Sequence, residues 1–413
     1  MYRALLLLFL VFVLANSFCV AQPEKRNVSG IVVDSLTKEP LPFVNVFLAN
    51  TTMGASTATD GSFTIQSMSP GKYDLVASYV GYKPYMIAVD FTVKENGFTK
   101  EIKLTVELAQ EAKQLQEIVI KEDTTNRAKL LADFKKVFLG QTRNSKECKI
   151  LNPRDIHLYF DARERLLLAH AKKPIEVENR ALGYKIYFYL NQFEVNYQKG
   201  SQLSYGVYRF EELTSEKARR NKTWERERRQ AYFGSVTHFM RALRDSALQE
   251  NSFTVRKVFT VPNLKRPPDE FINRKINALR KERNSNTIII SDNPKDSLKY
   301  YLRLKAEPKE IDSLGNTIYS GGEFVRPSPK KMEGIKGKYQ VIYNKNEEIE
   351  YLLYINRKYA KKQTSVFHFS ENSLTIYANG HYENVFSLFT EGYLSWRENM
   401  SNNLPLEYVP PLK

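Results

Sequence analysis

Cysteine is nearly missing from this 413-residue chain, which has two, Cys19 and Cys148. Cys19 lies in a leader-like stretch, so the rest of the chain keeps one thiol, which cannot close an internal disulfide. Stability must come from packing, and Cys148 reads as a small buried hydrophobe rather than a nucleophile. Histidine is scarce, five in all. There is no Gly-x-Ser-x-Gly elbow, Walker loop, Rossmann fingerprint or Cys-x-x-Cys pair. Ser69-Pro70-Gly71-Lys72 fits a Ser-x-x-Lys string, but it occupies a Pro-Gly turn instead of opening a helix. Past residue 21 no run is long and apolar enough to cross a bilayer as a helix. These absences count against a disulfide scaffold, nucleotide chemistry and a helical membrane protein. They also favour a non-enzyme without a cofactor, although a convergent site needs no local signature.

Hydrophobic residues make up 42% of the chain and aromatic residues 12%, enough for packed cores and for two or three domains. The first 21 residues read as a signal peptide: Arg3 gives a positive start, Ala4 to Leu14 is unbroken apolar chain, and cleavage falls between Ala21 and Gln22. That run is short for an anchor, and Phe18 before Cys19 stands where a lipoprotein signal expects a small residue. The formal net charge is +16 and is unevenly placed. Between Gln22 and Leu108 eight basic residues meet nine acidic ones, a net of −1, so the chain from Ala109 onward carries +16. In an exported protein such a surface points to anionic partners, such as acidic glycans, lipopolysaccharide or lipid headgroups, or serves solubility alone.

From Val28 to Leu108 the chain reads as short strands parted by turns. Val44, Val46 and Leu48 alternate, as do Tyr73, Leu75 and Ala77. Asp60-Gly61, Pro70-Gly71 and Gly81 supply the breaks, and Ile102, Leu104, Val106 and Leu108 share one face of a last strand. Seven such strands without a helix signal predict a small antiparallel sandwich. The lone Asp60-Gly61 is a turn, with no spaced carboxylates around it for calcium. The segments Val28-Ser29-Gly30-Ile31-Val32-Val33-Asp34, Pro40-Leu41-Pro42-Phe43-Val44-Asn45-Val46, Thr57-Ala58-Thr59-Asp60-Gly61-Ser62-Phe63 and Gly81-Tyr82 resemble the carboxypeptidase-like regulatory domain. That is a transthyretin-like sandwich common in exported proteins of Bacteroidetes. The resemblance covers about a fifth of the chain and implies a non-catalytic module at the periplasm or outer membrane.

Leu115-Gln116-Glu117-Ile118-Val119-Ile120 resembles the energy-coupling strand of TonB-dependent receptors. The favoured reading is the last strand of the sandwich or a connector, since the chain has no room for a plug and barrel after it. Beyond it, Arg127 to Gln141 has helical spacing, and Ile156–Phe160, Leu166–His170, Ile175–Val177 and Tyr184–Tyr197 read as strands, the last of them central. Ser215 to Tyr232 holds seven basic and three acidic residues around Trp224. Lys217, Arg220, Arg226 and Arg229 form a candidate anion-binding face there, with Trp224 as a stacking platform; a solvated helix face is the plainer reading. Glu225 and Glu227 interrupt the cluster and count against nucleic acid. Val236 to Leu248 suits a second amphipathic helix. Thr287–Ser291, Tyr300–Lys305, Tyr339–Tyr343, Ile349–Asn356, Val366–Phe369 and Leu374–Ala378 are expected strands. Arg180 to Ile186, Ala231 to Phe239 and Leu404 to Tyr408 are similar to a region that follows this module in Bacteroidetes proteins, a resemblance that brings no activity.

His368, Glu371 and His381 are the nearest approach to a zinc site, but on a strand the first two point to opposite faces. The expected architecture is therefore mainly β with some α. Residues 1–21 form the signal peptide, 22–110 the seven-stranded sandwich, 111–125 a linker, and 126–413 a basic α+β domain. The expected role is an exported envelope protein without catalytic or metal residues. It would bind or scaffold an anionic glycan, lipopolysaccharide or an outer-membrane protein. An accessory of TonB-dependent glycan uptake and a zinc-dependent envelope hydrolase are the alternatives.

Overall fold

A computed structural model describes residues 26–66, 70–91, 93–94, 97–98, 101–111, 126–284, 297–324, 331–359 and 361–411. The expected signal peptide with its Ala21–Gln22 junction, the expected strands Leu115–Ile120 and Thr287–Ser291 and most of the expected linker lie outside the described residues.

Nine strands form the first unit: β1 (Asn27–Asp34), β2 (Asn45–Leu48), β3 (Gly54–Ser56), β4 (Ser62–Ile65), β5 (Lys72–Ser78), β6 (Tyr85–Asp90), β7 (Val93–Lys94), β8 (Gly97–Phe98) and β9 (Glu101–Leu108). Seven of them make two sheets, β4-β1-β9 and β3-β2-β5-β6, and β7 and β8 pair as a small hairpin. Alternation fixes which side chains go inside. Val28, Val32, Val44, Val46, Leu48, Tyr73, Leu75 and Ala77 are all in one core. One ladder departs from the antiparallel expectation: β1 and β9 run parallel, from Asn27 opposite Glu101 to Asp34 opposite Leu108. Period-two patterning shows the buried face but not strand direction, and a first and last strand need no tight hairpin between them.

Next comes α1 (Arg127–Phe138), which buries Leu130, Phe134 and Phe138 on one stripe. The stripe lies on a six-stranded sheet of β10 (Cys148–Ile150), β11 (Ile156–Asp161), β12 (Leu166–Ala171), β13 (Ile175–Asn179), β14 (Tyr184–Asn196) and β15 (Ser201–Glu212). Phe134 meets Phe193 at 4.6 Å and Phe138 meets Phe188 at 5.3 Å between ring centroids. As its two apolar faces imply, β14 is central, with β12, β13 and β15 all paired to it.

Two helices follow, α2 (Ala218–Tyr232) and α3 (Val236–Arg244). The chain then builds a second large sheet in the order β17-β16-β19-β20-β23 from β16 (Phe253–Pro262), β17 (Glu310–Leu314), β19 (Gly337–Glu347), β20 (Lys362–Phe369) and β23 (Leu388–Gly392). A three-stranded sheet of β18 (Lys331–Glu333), β21 (Ser373–Ile376) and β22 (Tyr382–Glu383) accompanies it. Four helices punctuate this part: α4 (Asp269–Asn284), α5 (Leu298–Ala306), α6 (Ile349–Tyr354) and α7 (Tyr393–Arg397). No helix among the described residues is long and apolar enough to cross a membrane.

Two expected strands are helices. Tyr300–Lys305 lies in α5, where Ser297 caps the Tyr300 N–H and Tyr301 and Leu304, three residues apart, are the buried pair. Ile349–Asn356 gives α6 and a turn, and its Ile349, Leu353 and Tyr354 are exposed. Short apolar runs do not separate strand from helix, and here context chose helix. The α4 helix was not anticipated at all; its Ile272 and Ile276 pack on Tyr301 and Leu304 in a small core of their own.

The sandwich is joined to the rest through backbone. The Asn50 N–H donates to the Tyr208 carbonyl, Phe210 donates to Thr51, and Thr51 bridges Arg209 in parallel, so the β2–β3 turn adds to the edge of β15. Phe47 stacks on Tyr189 at 5.2 Å, and Phe47, Ala49, Val76, Tyr189 and Val207 form a joint apolar cluster.

Candidate functional site: a basic cleft beside Trp224

Of the groups singled out in the sequence, only part of the cluster around α2 converges. A cleft of about 530 Å³ lies beside the start of this helix. Its walls carry six cations, Arg143, Lys146, Arg180, Lys217, Arg219 and Arg220, against two acids, Glu147 and Glu227. They come from three stretches far apart in the chain. Arg143 and Lys146 stand on a 3-10 turn after α1, Arg180 follows β13, and the others lie at the N-terminus of α2.

The first turn of α2 has no acidic residue, and Lys217 precedes it without a side-chain cap. The N-terminal end of a helix is already positive, so Lys217, Arg219 and Arg220 add like charge to it, at a cost of about 0.3 to 1 kcal/mol each when exposed. A bound anion would relieve that repulsion.

Trp224 is seated rather than displayed. Only 6% of it is exposed, and its indole N–H donates to the Arg180 carbonyl at 2.9 Å. Arg220 covers the ring at 5.4 Å, and Gly183 packs against its other side. The expected stacking platform is therefore a buried wall that fixes Arg180 and Arg220. The base of the cleft is Glu227, a 7% exposed carboxylate that receives Arg143 at 2.5 Å and Arg226 at 2.9 Å. Removing a partner from a buried ion is costly, so Glu227 holds Arg143 in place.

Lys217, Arg220 and Trp224 thus share the cleft. Arg226 turns aside to Glu227, and Arg229 leaves altogether, lying over Phe233 and donating to the Pro411 carbonyl at 2.7 Å. Lys217, Arg220 and Trp224, spaced by three and four, share one face, whereas Arg226 and Arg229, six and nine positions past Arg220, lie on others, so the stripe assumed from the sequence was too broad. Arg143, Lys146 and Arg180 were missed. They stand roughly forty to seventy residues upstream of α2, and nothing local marks them.

The histidine set does not assemble. His368 lies 2.8 Å from Glu391, Glu371 accepts from Asn384 at 3.2 Å, and His381 packs on Tyr377. Among the described residues no three or more His, Cys, Asp or Glu side chains are gathered to hold a metal ion. Cys148 packs partly buried against the α1 core, and burial pushes its thiol up to about 12, so it stays protonated.

Residues 180–186, 231–239 and 404–408 meet in space, with Leu182, Tyr184, Ile186, Ala231 and Leu404 in one apolar cluster. Arg228 donates to the Leu182 carbonyl, Arg241 donates to the Leu406 and Tyr408 carbonyls, and Tyr232 lies 6.0 Å from Tyr408. Their shared contacts are structural.

Residues 28–120 match the family described as the CarboxypepD_reg-like domain. None of the curated proteins matches the chain. Among solved structures it is similar to the group B streptococcus pilus 2b backbone protein, at 16% identity over 22% of this chain and 43% of that one, with a TM-score of 0.18. It is also similar to 3-chlorocatechol 1,2-dioxygenase from Rhodococcus opacus (15% identity, 22% and 62% covered, TM-score 0.17). A type II cohesin–X-dockerin complex from Acetivibrio cellulolyticus gives 17% identity, 25% and 71% coverage, and a TM-score of 0.17. The chain spans less than two thirds of the first two of these proteins. Residues 28–120, the two-sheet sandwich and the stretch just beyond it, are thus a CarboxypepD_reg-like domain at the head of a strand-rich α+β region.

Proposed function

We propose that the chain is an exported, non-catalytic binding protein of the cell envelope. Its sandwich braces a larger basic region, and the cleft beside α2 takes an anionic polysaccharide or the phosphate-bearing head of lipopolysaccharide. One observation carries this reading: six cations from three distant stretches face one cleft with two acids between them. Export is supported by the leader-like first 21 residues and by the kind of module that follows them.

Mechanistically, the contribution is electrostatic. Arg143 and Arg180 are held by Glu227 and Glu178, and their forks are oriented before ligand arrives. Among the described residues, no carboxylate lies within ion-pair distance of Lys146, Lys217, Arg219 or Arg220, so these remain free to neutralise anionic groups. Binding should be strong at low salt and fall steeply as the screening length shrinks to about 8 Å at physiological ionic strength.

The test is retention of purified protein on immobilised lipopolysaccharide and polygalacturonate, with dextran as a neutral control. The triple change Lys217→Glu, Arg219→Glu, Arg220→Glu is expected to weaken retention on the anionic supports at least tenfold with the fold intact by circular dichroism. Equal retention of the variant, or equal retention on dextran, rejects the proposal.

A further inference from the structure

We propose a second binding site, independent of the basic cleft, for a neutral oligosaccharide. A cleft of about 830 Å³ opens between the β14–β15 sheet edge, the end of α1 and the β23–α7 segment. Tyr351, Tyr354, Phe386, Phe389 and Trp396 line it. Three of these rings are turned outward, with Tyr354 52%, Phe386 42% and Phe389 56% exposed. They are held from behind. Tyr351 stacks beside Tyr354 at 6.1 Å, Trp396 lies 5.9 Å from Tyr354, and Tyr205 lies 4.8 Å from Phe386.

Three further features say what would cover those rings. First, uncharged hydrogen-bonding side chains stand among them: Gln141, Gln202, Ser204 and Ser395. None of the four side chains has a hydrogen-bond partner among the described residues. Second, the charged residues of the lining balance, with Lys136 and Lys199 against Glu391 and Glu398, and Glu391 already faces His368 at 2.8 Å. Third, the volume lies in the range of small-ligand sites, roughly 300 to 1,000 Å³. A lipid chain or an apolar helix would bury the four uncharged polar groups without partners. A polyanion gains nothing from a lining of zero net charge. A sugar chain offers both faces at once: C–H surfaces to lie on rings, and hydroxyls that donate to and accept from amides and hydroxymethyl groups.

The chain has two tryptophans, and they divide the two sites, Trp224 beside the basic cleft and Trp396 in this one. The experiment is a printed array of neutral and anionic glycans probed with the intact protein, followed by fluorescence titration with the best neutral hexasaccharide. Binding to at least one neutral glycan is expected, with a change in Trp396 emission that persists in a Trp224→Phe variant. Tyr354→Ala with Phe389→Ala, both at exposed positions, should weaken that binding at least tenfold and leave retention on lipopolysaccharide unchanged. Binding to no neutral glycan overturns the proposal. So does neutral-glycan binding unaffected by the double change, or binding lost in the Lys217, Arg219, Arg220 charge-reversed protein, which would place it in the other cleft.

Discussion

Gly183 has φ of +72°, and a Cβ there would lie 2.4 Å from the Trp224 ring. Left-handed backbone and a buried indole leave no room to adapt, so Gly183→Ala should cost roughly 3 kcal/mol in urea unfolding. The same change should weaken anionic-glycan binding, because the Arg180 carbonyl accepts from that indole N–H. His238 is a second residue with a measurable signature. It is 3% exposed, its Nδ1 accepts from the Gly234 N–H, and Nε2 therefore carries the proton given to Asn251. Burial first, then the charges of Arg241, Lys345 and Arg397, push its pKa down to about 4. The folded protein holds it neutral while the unfolded chain protonates it near 6.5. Its contribution is complete above that value and drains away as pH falls toward 4. Between pH 7 and pH 5 this one group should remove about 2 kcal/mol, and His238→Gln should flatten that part of a stability–pH curve. Neither residue was conspicuous beforehand. A glycine in a Leu-Gly-Tyr string and a histidine on an amphipathic helix gain their roles only from what the fold sets against them.

At the level of elements, α2 places three cations at the end of a helix that disfavours them. Arg219→Glu should therefore raise stability by about 0.3 to 1 kcal/mol in thermal or urea unfolding while lowering affinity for lipopolysaccharide. A fall in both would mean that Arg219 is a structural residue. The same helix shows what patterning could and could not convey. Its existence and its charge were legible, as were the sandwich strands and the central β14, because alternation and three-four spacing are local; the burial of Trp224, expected as a stacking platform, was not. The destination of each arginine was not, since Arg229 is drawn off by Pro411 and Arg226 by Glu227. For the same reason α5 and α6 resembled strands. Six or eight residues hold too few periods to distinguish the two, and for α5 the packing of Tyr301 and Leu304 on α4 decided the matter.

Across the whole molecule, the sandwich and the larger region share β15 and an apolar joint. Phe47, 1% exposed, belongs to that joint rather than to the sandwich interior. Phe47→Ala should cost about 3 to 5 kcal/mol of coupling and split one calorimetric transition into two. A single sharper peak would show that the backbone pairing at Asn50–Thr51 suffices. The last described residues reach every body in turn. Met400 donates to the Phe138 carbonyl, Ser401 meets Thr142 and Asn179, Leu406 donates to Asn50, Glu407 accepts from Thr52, and Tyr408 and Pro411 accept from Arg241 and Arg229. Contacts made by residues 400–411 thus complete both the sandwich joint and the core of the larger region, so the two regions reach their finished packing together once this segment has been synthesised.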